Sequence, residues 1–291
     1  MLSLAQSADY LFCLEWTPSD TGPKVLQYKK IKFNPSQKSY KHFLDASLID
    51  FKKSSINPSN SMSLSIDIDN VLLTSFNYDL NIDLEDYTKW YEDNVLNPHI
   101  VNNFDIYYYP LNNKENSMMV VCINKKLKAN IIASCKKHKY DLVHLTFDIF
   151  SAGIAAKVYR KENVRNYLIW KIGKNNYHYG LFYENDDLKH FIKVKKRNKI
   201  ECIQSIGDNF LKIKLIKMFE SAILGKKLEA NFLDKIFLYQ SKTNFELLKF
   251  LASKNKIHIM DIGSKLLGKK TPHYSLLGYN ENINSLRGID V

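Results

Sequence analysis

Glycine and proline are scarce, at 10 and 7 of 291 residues, which excludes collagen-like, linker-rich and low-complexity organisation. Few glycines also leave few places where backbone could wrap closely around a phosphate. The four cysteines, Cys13, Cys122, Cys135 and Cys202, stand far apart with no Cys-x-x-Cys pair. A disulfide scaffold would be denser and a zinc site would show short ligand spacing, so reduced core cysteines are expected. No run approaches the ~20 apolar residues of a spanning helix. The opening Met1-Leu2-Ser3-Leu4-Ala5-Gln6 lacks a basic-then-apolar leader pattern. A soluble, cytoplasmic protein is the expectation.

What is present is a core-forming chain. Hydrophobic residues make up 45% and aromatics 13%, enough for one large domain or two medium ones. Lys and Arg number 42 against 30 Asp and Glu, a formal net charge of +12. Such a surplus favours acidic partners without choosing among nucleic acid, an anionic membrane face or a protein.

Apolar periodicity predicts strands over 10–16 and 24–33 around the turn Thr17-Pro18-Ser19-Asp20-Thr21-Gly22-Pro23. A helix follows over 39–53, carrying Phe43, Leu44, Leu48 and Phe51 on one face, then two short strands over 62–68 and 71–76. Acids at Asp83, Glu85 and Asp86 open a helix through about 96, with Pro98 beyond its stop. Paired strands over 104–109 and 118–123, a helix over 125–137, a strand over 142–147 and a helix over 148–159 complete the first half. The charged break Lys161-Glu162-Asn163-Val164-Arg165 separates lobes of 1–160 and 161–291. The second half restarts with three strands over 167–172, 177–183 and 188–194. A long helix over 201–224 ends at Gly225, followed by a strand over 235–239, a helix over 244–252, a strand over 257–262 and a closing helix over 274–286. Two successive halves, each opening on strands and then alternating helix with strand, make an α/β protein of two related lobes.

This order, with Leu64–Thr74, Glu85–Asp93 with Trp90 and Pro98, Met119–Lys125, Leu142–Asp148, the small-residue helix Ser151–Ala156, Pro272–Gly278 and Leu286-Arg287-Gly288, resembles the actin-like type IV pilus assembly proteins of the PilM family, cousins of FtsA. The resemblance implies a two-lobe actin-like ATPase fold, related to ribonuclease H, with mixed sheets flanked by helices and an inserted subdomain over about 83–140. An actin-like ATPase grips phosphates with an Asp-x-Gly hairpin in each lobe. Here the corresponding stretches are Leu14-Glu15-Trp16-Thr17-Pro18 and Trp170-Lys171-Ile172-Gly173, and the adenosine loop is replaced by Tyr239-Gln240-Ser241-Lys242. Pro18 removes a donor, and Lys171 can attract phosphate but cannot bind Mg²⁺. Glu15, Thr17, Lys171, Gly173 and Ser241 are thus read as remnants of a nucleotide cleft. No cofactor and no hydrolysis are expected, while ATP binding without hydrolysis stays open.

The resemblance also implies a groove in the inserted subdomain that receives the cytoplasmic tail of a membrane-anchored pilus or secretion partner, as an extended peptide or added strand. Tyr87, Trp90 and Tyr91, read as exposed at helical spacing, are the candidate anchors. The protein would sit peripherally at the inner membrane, with homo-oligomerisation open.

Other features weigh less. Asp67 and Asp69 form a D-x-D that in a nuclease would hold paired metals, but reads better as the exposed end of a strand entering a hairpin. Asp261-Ile262-Gly263 lacks a succeeding strand and reads as a strand end. His138, Cys135 and His144 are near enough for a metal, yet a helix-end histidine among lysines is ordinarily solvated. Tyr177, Tyr179, Phe182 and Tyr183 precede the cluster Lys193–Arg197, a pattern for single-stranded nucleic acid. The cations are scattered in short clusters rather than one stripe, which disfavours nucleic acid. Two rivals remain, an active ATPase or kinase using Glu15 and Lys171, and a nucleic-acid-binding ribonuclease-H-like module.

Overall fold

The computed structural model describes residues 1–7, 10–17, 24–33, 39–55, 60–79, 81–111, 116–159, 163–226, 230–240 and 258–259. In chain order its elements begin with β1 (Leu2–Ser7), β2 (Tyr10–Thr17), β3 (Lys24–Lys32), α1 (Tyr40–Ser54), β4 (Ser61–Ile66) and β5 (Val71–Asn77). Next come α2 (Leu84–Asn94), α3 (Pro98–Asn103), β6 (Phe104–Pro110), β7 (Ser117–Asn124), α4 (Lys125–Lys137), β8 (Asp141–Phe147) and α5 (Asp148–Tyr159). The remainder are β9 (Asn166–Ile172), β10 (Tyr177–Glu184), β11 (Asp187–Lys196), β12 (Ile200–Gly207), α6 (Asn209–Ile223), β13 (Lys235–Gln240) and β14 (His258–Ile259). The expected helices over 244–252 and 274–286 lie outside the described residues, as does Asp261-Ile262-Gly263.

The chain divides into two compact units. Among the described residues one comprises 1–70 and 123–159, and the other 71–122 and 163–259. Each contains a large sheet of the same design. In the first unit β1, β2 and β3 form an antiparallel meander, and β4 then β8 add in parallel beyond β1, in the order β3-β2-β1-β4-β8. In the second unit β9, β10 and β11 repeat the meander, and β13 then β14 add in parallel beyond β9. The second sheet is extended by β12, giving β12-β11-β10-β9-β13-β14. A third sheet, β5-β7-β6, belongs to the second unit with α2 and α3.

Helix starts follow local chemistry. Asn124 accepts from the amides of Lys126 and Leu127, Asp83 from Glu85 and Asp86, and Asp208 from Phe210 and Leu211, each satisfying donors that a first turn leaves open. Phe43, Leu44, Leu48 and Phe51 are buried on α1 as their spacing predicts. At the far end of α6 the Lys226 amide bonds to the Ser221 carbonyl and the Gly225 amide to that of Ala222, a Schellman arrangement. The second unit's core joins Leu168, Trp170, Ile192 and Val194 of the sheet to Leu215, Met218 and Phe219 of α6. Trp170 meets Phe219 edge-on at 4.9 Å and donates from Nε1 to His178 Nδ1 at 3.1 Å.

Three elements differ from the expectation. The opening residues form β1, whose Leu2, Leu4 and Ala5 are buried and which is the axis of its sheet. Residues 201–207, expected as the start of the helix over 201–224, belong instead to β12. Ile200, Ile203 and Ile206 recur every third residue and mimic a helical stripe, but a β-bulge sets Val194 opposite Cys202 and Lys193 opposite Gln204, leaving Ile203 as the extra residue. The strands over 62–68 and 71–76 are not a hairpin. A short 3-10 turn, Ile68–Asn70, intervenes, and β5 joins the third sheet.

Candidate functional site

Within the first unit β1, β4 and β8 are parallel, so their carboxyl ends share one edge, the place where open α/β sheets bind ligands. That edge carries Asp67 after β4 and Asp148 after β8. Asp67 is buried rather than exposed as expected, and its Oδ1 accepts from the Asp69 amide at 3.0 Å. Asp148, which sequence reasoning did not single out, accepts from the amides of Ile68 and Ile149 at 3.1 and 2.9 Å. Its signal was the acid that opens a helix directly after a strand. It ties the end of β4 to the start of α5, and Ser65 and Ser151 hydroxyls, 2.6 Å apart, repeat the link one turn deeper.

The matching sheets identify which hairpins correspond. β9 stands where β1 does, so the counterpart of the β9–β10 turn at Gly173 is the β1–β2 turn, Ser7-Ala8-Asp9-Tyr10, which contains no glycine. Glu15 and Thr17 are therefore not at the corresponding hairpin. Glu15 pairs with Leu2, at the opposite end of β1 from that turn, and Thr17 pairs with Lys24. Glu15 is 2% exposed and accepts from Ser55 Oγ at 2.7 Å. Trp16 is in the core, with its Nε1 donating to Ser3 at 2.8 Å, rather than in a loop. Counting glycine and proline signals located the wrong turn because β1 itself was not recognised.

In the second unit Lys171 lies on β9, 2% exposed, its ammonium 5.3 Å from the Tyr179 ring. Lys193 stands 5.0 Å from the same ring and 4.8 Å from that of Tyr177, and Lys195 stands 4.6 Å from Tyr177. Gly173 donates to the Tyr177 carbonyl at 2.9 Å, and a Cβ there would sit 2.8 Å from Tyr179 Cε2, so glycine lets the ring close under the turn. Asn175 and Asn176 take φ of 52° and 62°, conformations asparagine tolerates. The group can attract an anion but supplies no carboxylate for a metal. Tyr179, Phe182 and Tyr183 are buried, so these rings do not form the stacking platform considered for nucleic acid. Ser241 lies outside the described residues.

The aromatic trio on α2 divides. Tyr91, expected on the surface, is 4% exposed and belongs to a small core with Leu96, Val120 and Cys122. Its ring contacts Phe76 at 4.2 Å. Tyr87 also stacks on Phe76, at 5.2 Å, and its hydroxyl donates to the Asn77 carbonyl at 3.1 Å. Trp90 is 51% exposed and meets Tyr87 edge-on at 5.5 Å. The correction is a matter of phase. Tyr91 shares its helix face with Leu84 and Thr88, while Trp90 points about a quarter turn away.

Among the described residues no group of three His, Cys, Asp or Glu is placed to hold a metal. His138 is not solvated as expected: its Nε2 lies 3.1 Å from Asp45 Oδ1, while Lys137 Nζ lies 2.8 Å from Oδ2. Burial would raise the Asp45 carboxyl, but its contacts with Lys137 and His138 hold it below its ordinary range. All four thiols are free, and burial pushes Cys122 up to about 11 and Cys135 to about 12, which leaves little thiolate.

No protein-family model and no curated protein matches the chain. Among solved structures, a chain of the PilM–PilN type IV pilus biogenesis complex superposes with a TM-score of 0.62 at 13% identity, covering 100% of this chain and 98% of that one. The cytoplasmic domain of EpsL, an inner-membrane component of the type II secretion system of Vibrio cholerae, gives 0.44 at 11% identity over 87% of this chain and 93% of that one. A Bacteroides thetaiotaomicron protein with an actin-like ATPase fold gives 0.45 at 14% identity over 89% and 90%. At this identity a likeness is one of fold, and the fold is the expected actin-like one: two units of matching sheet order, shared along its whole length with a chain of the PilM–PilN complex.

Proposed function

We propose that the chain is a nucleotide-degenerate actin-like scaffold of a type IV pilus or secretion assembly, held at the cytoplasmic face of the inner membrane by the tail of a membrane-anchored partner. The full-length likeness to a chain of the PilM–PilN complex carries this reading. Two further observations support it. Neither corresponding hairpin keeps an Asp-x-Gly pattern, and Lys171 occupies the second where a metal-positioning acid would be needed. No described helix is long and apolar enough to cross a membrane, so a membrane location would come through a partner. The chain works without a cofactor in this reading.

The test combines two measurements on one preparation. With Mg²⁺ and millimolar ATP, phosphate release stays at background, and Glu15→Gln changes nothing. In lysates of its own cells the protein sediments with membranes, whereas protein-free vesicles of the same lipids do not retain it at physiological salt. Turnover that depends on Mg²⁺, or retention by lipid alone, overturns the proposal.

A further inference from the structure

Helix α6 is apolar on two sides. Its inner side, Leu215, Met218, Phe219 and Ala222, is buried in the core of the second unit. With one core to cover, the outer side should be polar, yet Phe210 is 63% exposed and Ile213 55%. A lysine follows each of them one turn on, Lys214 after Phe210 and Lys217 after Ile213, so apolar and cationic side chains share one face. Lys214 Nζ lies 4.1 Å from the Phe210 ring centroid. Lys212 adds a third cation at the end of the first turn, near the positive end of the dipole, where a cation opposes helix stability. None of these three lysines forms an ion pair among the described residues. The single acid within the helix, Glu220, is paired with Lys226 at 3.3 Å, and Asp208 spends its Oδ1 on the amides of Phe210 and Leu211. On β12, the edge strand beside α6, Ile203 is exposed as well.

Exposed apolar side chains bordered by unpaired lysines match an anionic bilayer surface. Resting on the function proposed above, which sets the protein beside the inner membrane, we infer that the outer face of α6 lies on the anionic leaflet. Phe210 and Ile213 enter the boundary between headgroups and acyl chains, and Lys212, Lys214 and Lys217 meet lipid phosphates. Lysine stems lie along apolar surface while their ammonium groups reach up to the headgroups, as Lys214 already does over Phe210. The two apolar side chains project from a convex helix, which suits a soft planar surface rather than a shaped protein pocket. The net charge of +12 adds long-range attraction to the same leaflet. A single face of this kind gives marginal, salt-sensitive binding. At physiological salt it therefore supplements the partner's tail and orients the scaffold, without holding the protein alone.

The experiment sediments the full chain with vesicles at low salt. It is retained by phosphatidylcholine mixed with phosphatidylglycerol and not by phosphatidylcholine alone. Phe210→Ser/Ile213→Ser, which leaves the charge unchanged, lowers partitioning about tenfold, and Lys214→Gln/Lys217→Gln lowers it about as much. In Phe210→Trp the emission is quenched by anionic lipid brominated in its acyl chains. The parent protein is not quenched, since Trp16 and Trp170 are buried and its exposed indole, Trp90, is on α2. Circular dichroism of these surface variants confirms that they are folded. Unchanged partitioning of Phe210→Ser/Ile213→Ser marks diffuse charge attraction and overturns the inference, as does a Phe210→Trp variant that brominated lipid leaves unquenched. Saturable binding of poly-glutamate with no response to vesicles marks an acidic protein partner and overturns it too. Should vesicles fail while the protein still sediments with membranes of its own cells, the inference falls and the scaffold reading stands.

Discussion

Gly207→Ala is expected to abolish stable folding of the second unit. Gly207 ends β12 at φ +114°, a region L-residues rarely enter, and an added Cβ there would run into the Lys189 carbonyl oxygen, with His190 Nδ1 at 2.9 Å. The neighbour is backbone of the paired strand, so relief requires breaking the β11–β12 ladder just before the Asp208 cap that starts α6. Strain plus the lost ladder costs at least about 3 kcal/mol. Gly225→Ala is the control: φ is +69° but nothing lies within 4 Å of the added carbon, so it loses only the left-handed penalty of about 1–2 kcal/mol. Urea unfolding followed by circular dichroism separates the two. Equal costs would contradict the strand-to-helix joint described here.

A fall in pH from 7 to 4.5 is expected to destabilise the second unit strongly. Burial lowers His178 to about 4, with Lys196 adding to the effect, and lowers His190 to about 4 against a raising contribution from Asp208. Both are neutral in the folded chain, and His178 uses Nδ1 to accept from Trp170. Their contribution is complete above the unfolded value near 6.5. It is lost as pH falls from there toward about 4, because the unfolded chain takes up protons that the folded one refuses. Each shift corresponds to roughly 3 kcal/mol at most. Asp45 acts in a lower window, since its carboxyl is held below its usual range and its contribution fades only in more acid solution. Urea midpoints measured across this range should fall steeply in the native protein and less in His178→Asn, which keeps an acceptor for Trp170. A flat profile would place these imidazoles in water.

Much of the fold was legible because periodicity and local chemistry agreed. α4 and α5 were read with their bounds as found, since Asn124 and Asp148 start them and the apolar spacing is helical. What failed did so for identifiable reasons. β1 is short and includes serine and glutamine, so its burial in the centre of a sheet leaves little trace in pattern. Missing it displaced the first hairpin and with it Glu15 and Thr17. β12 was hidden by a bulge that gives isoleucines a helical period. The candidate anchors were found as a group by composition, but which ring is core and which is surface depends on helix phase against Phe76, which no spacing rule alone decides. Asp67 looked like a turn residue because it stands where β4 runs into the 3-10 turn, and its burial leaves no trace in that local pattern.

The most direct test of the scaffold reading is photo-crosslinking in the protein's own cells, with p-benzoyl-phenylalanine placed at position 94. Asn94 is exposed, one turn beyond Trp90, and bonds to its carbonyl at 2.9 Å, so the probe borders the candidate anchor Trp90 without removing its indole. The expected product is one dominant adduct with a membrane-anchored protein, joined through its cytoplasmic segment, and absent when the probe is at Lys53 on α1. Adducts only with soluble proteins or nucleic acid, or the same adduct from both positions, would contradict the reading.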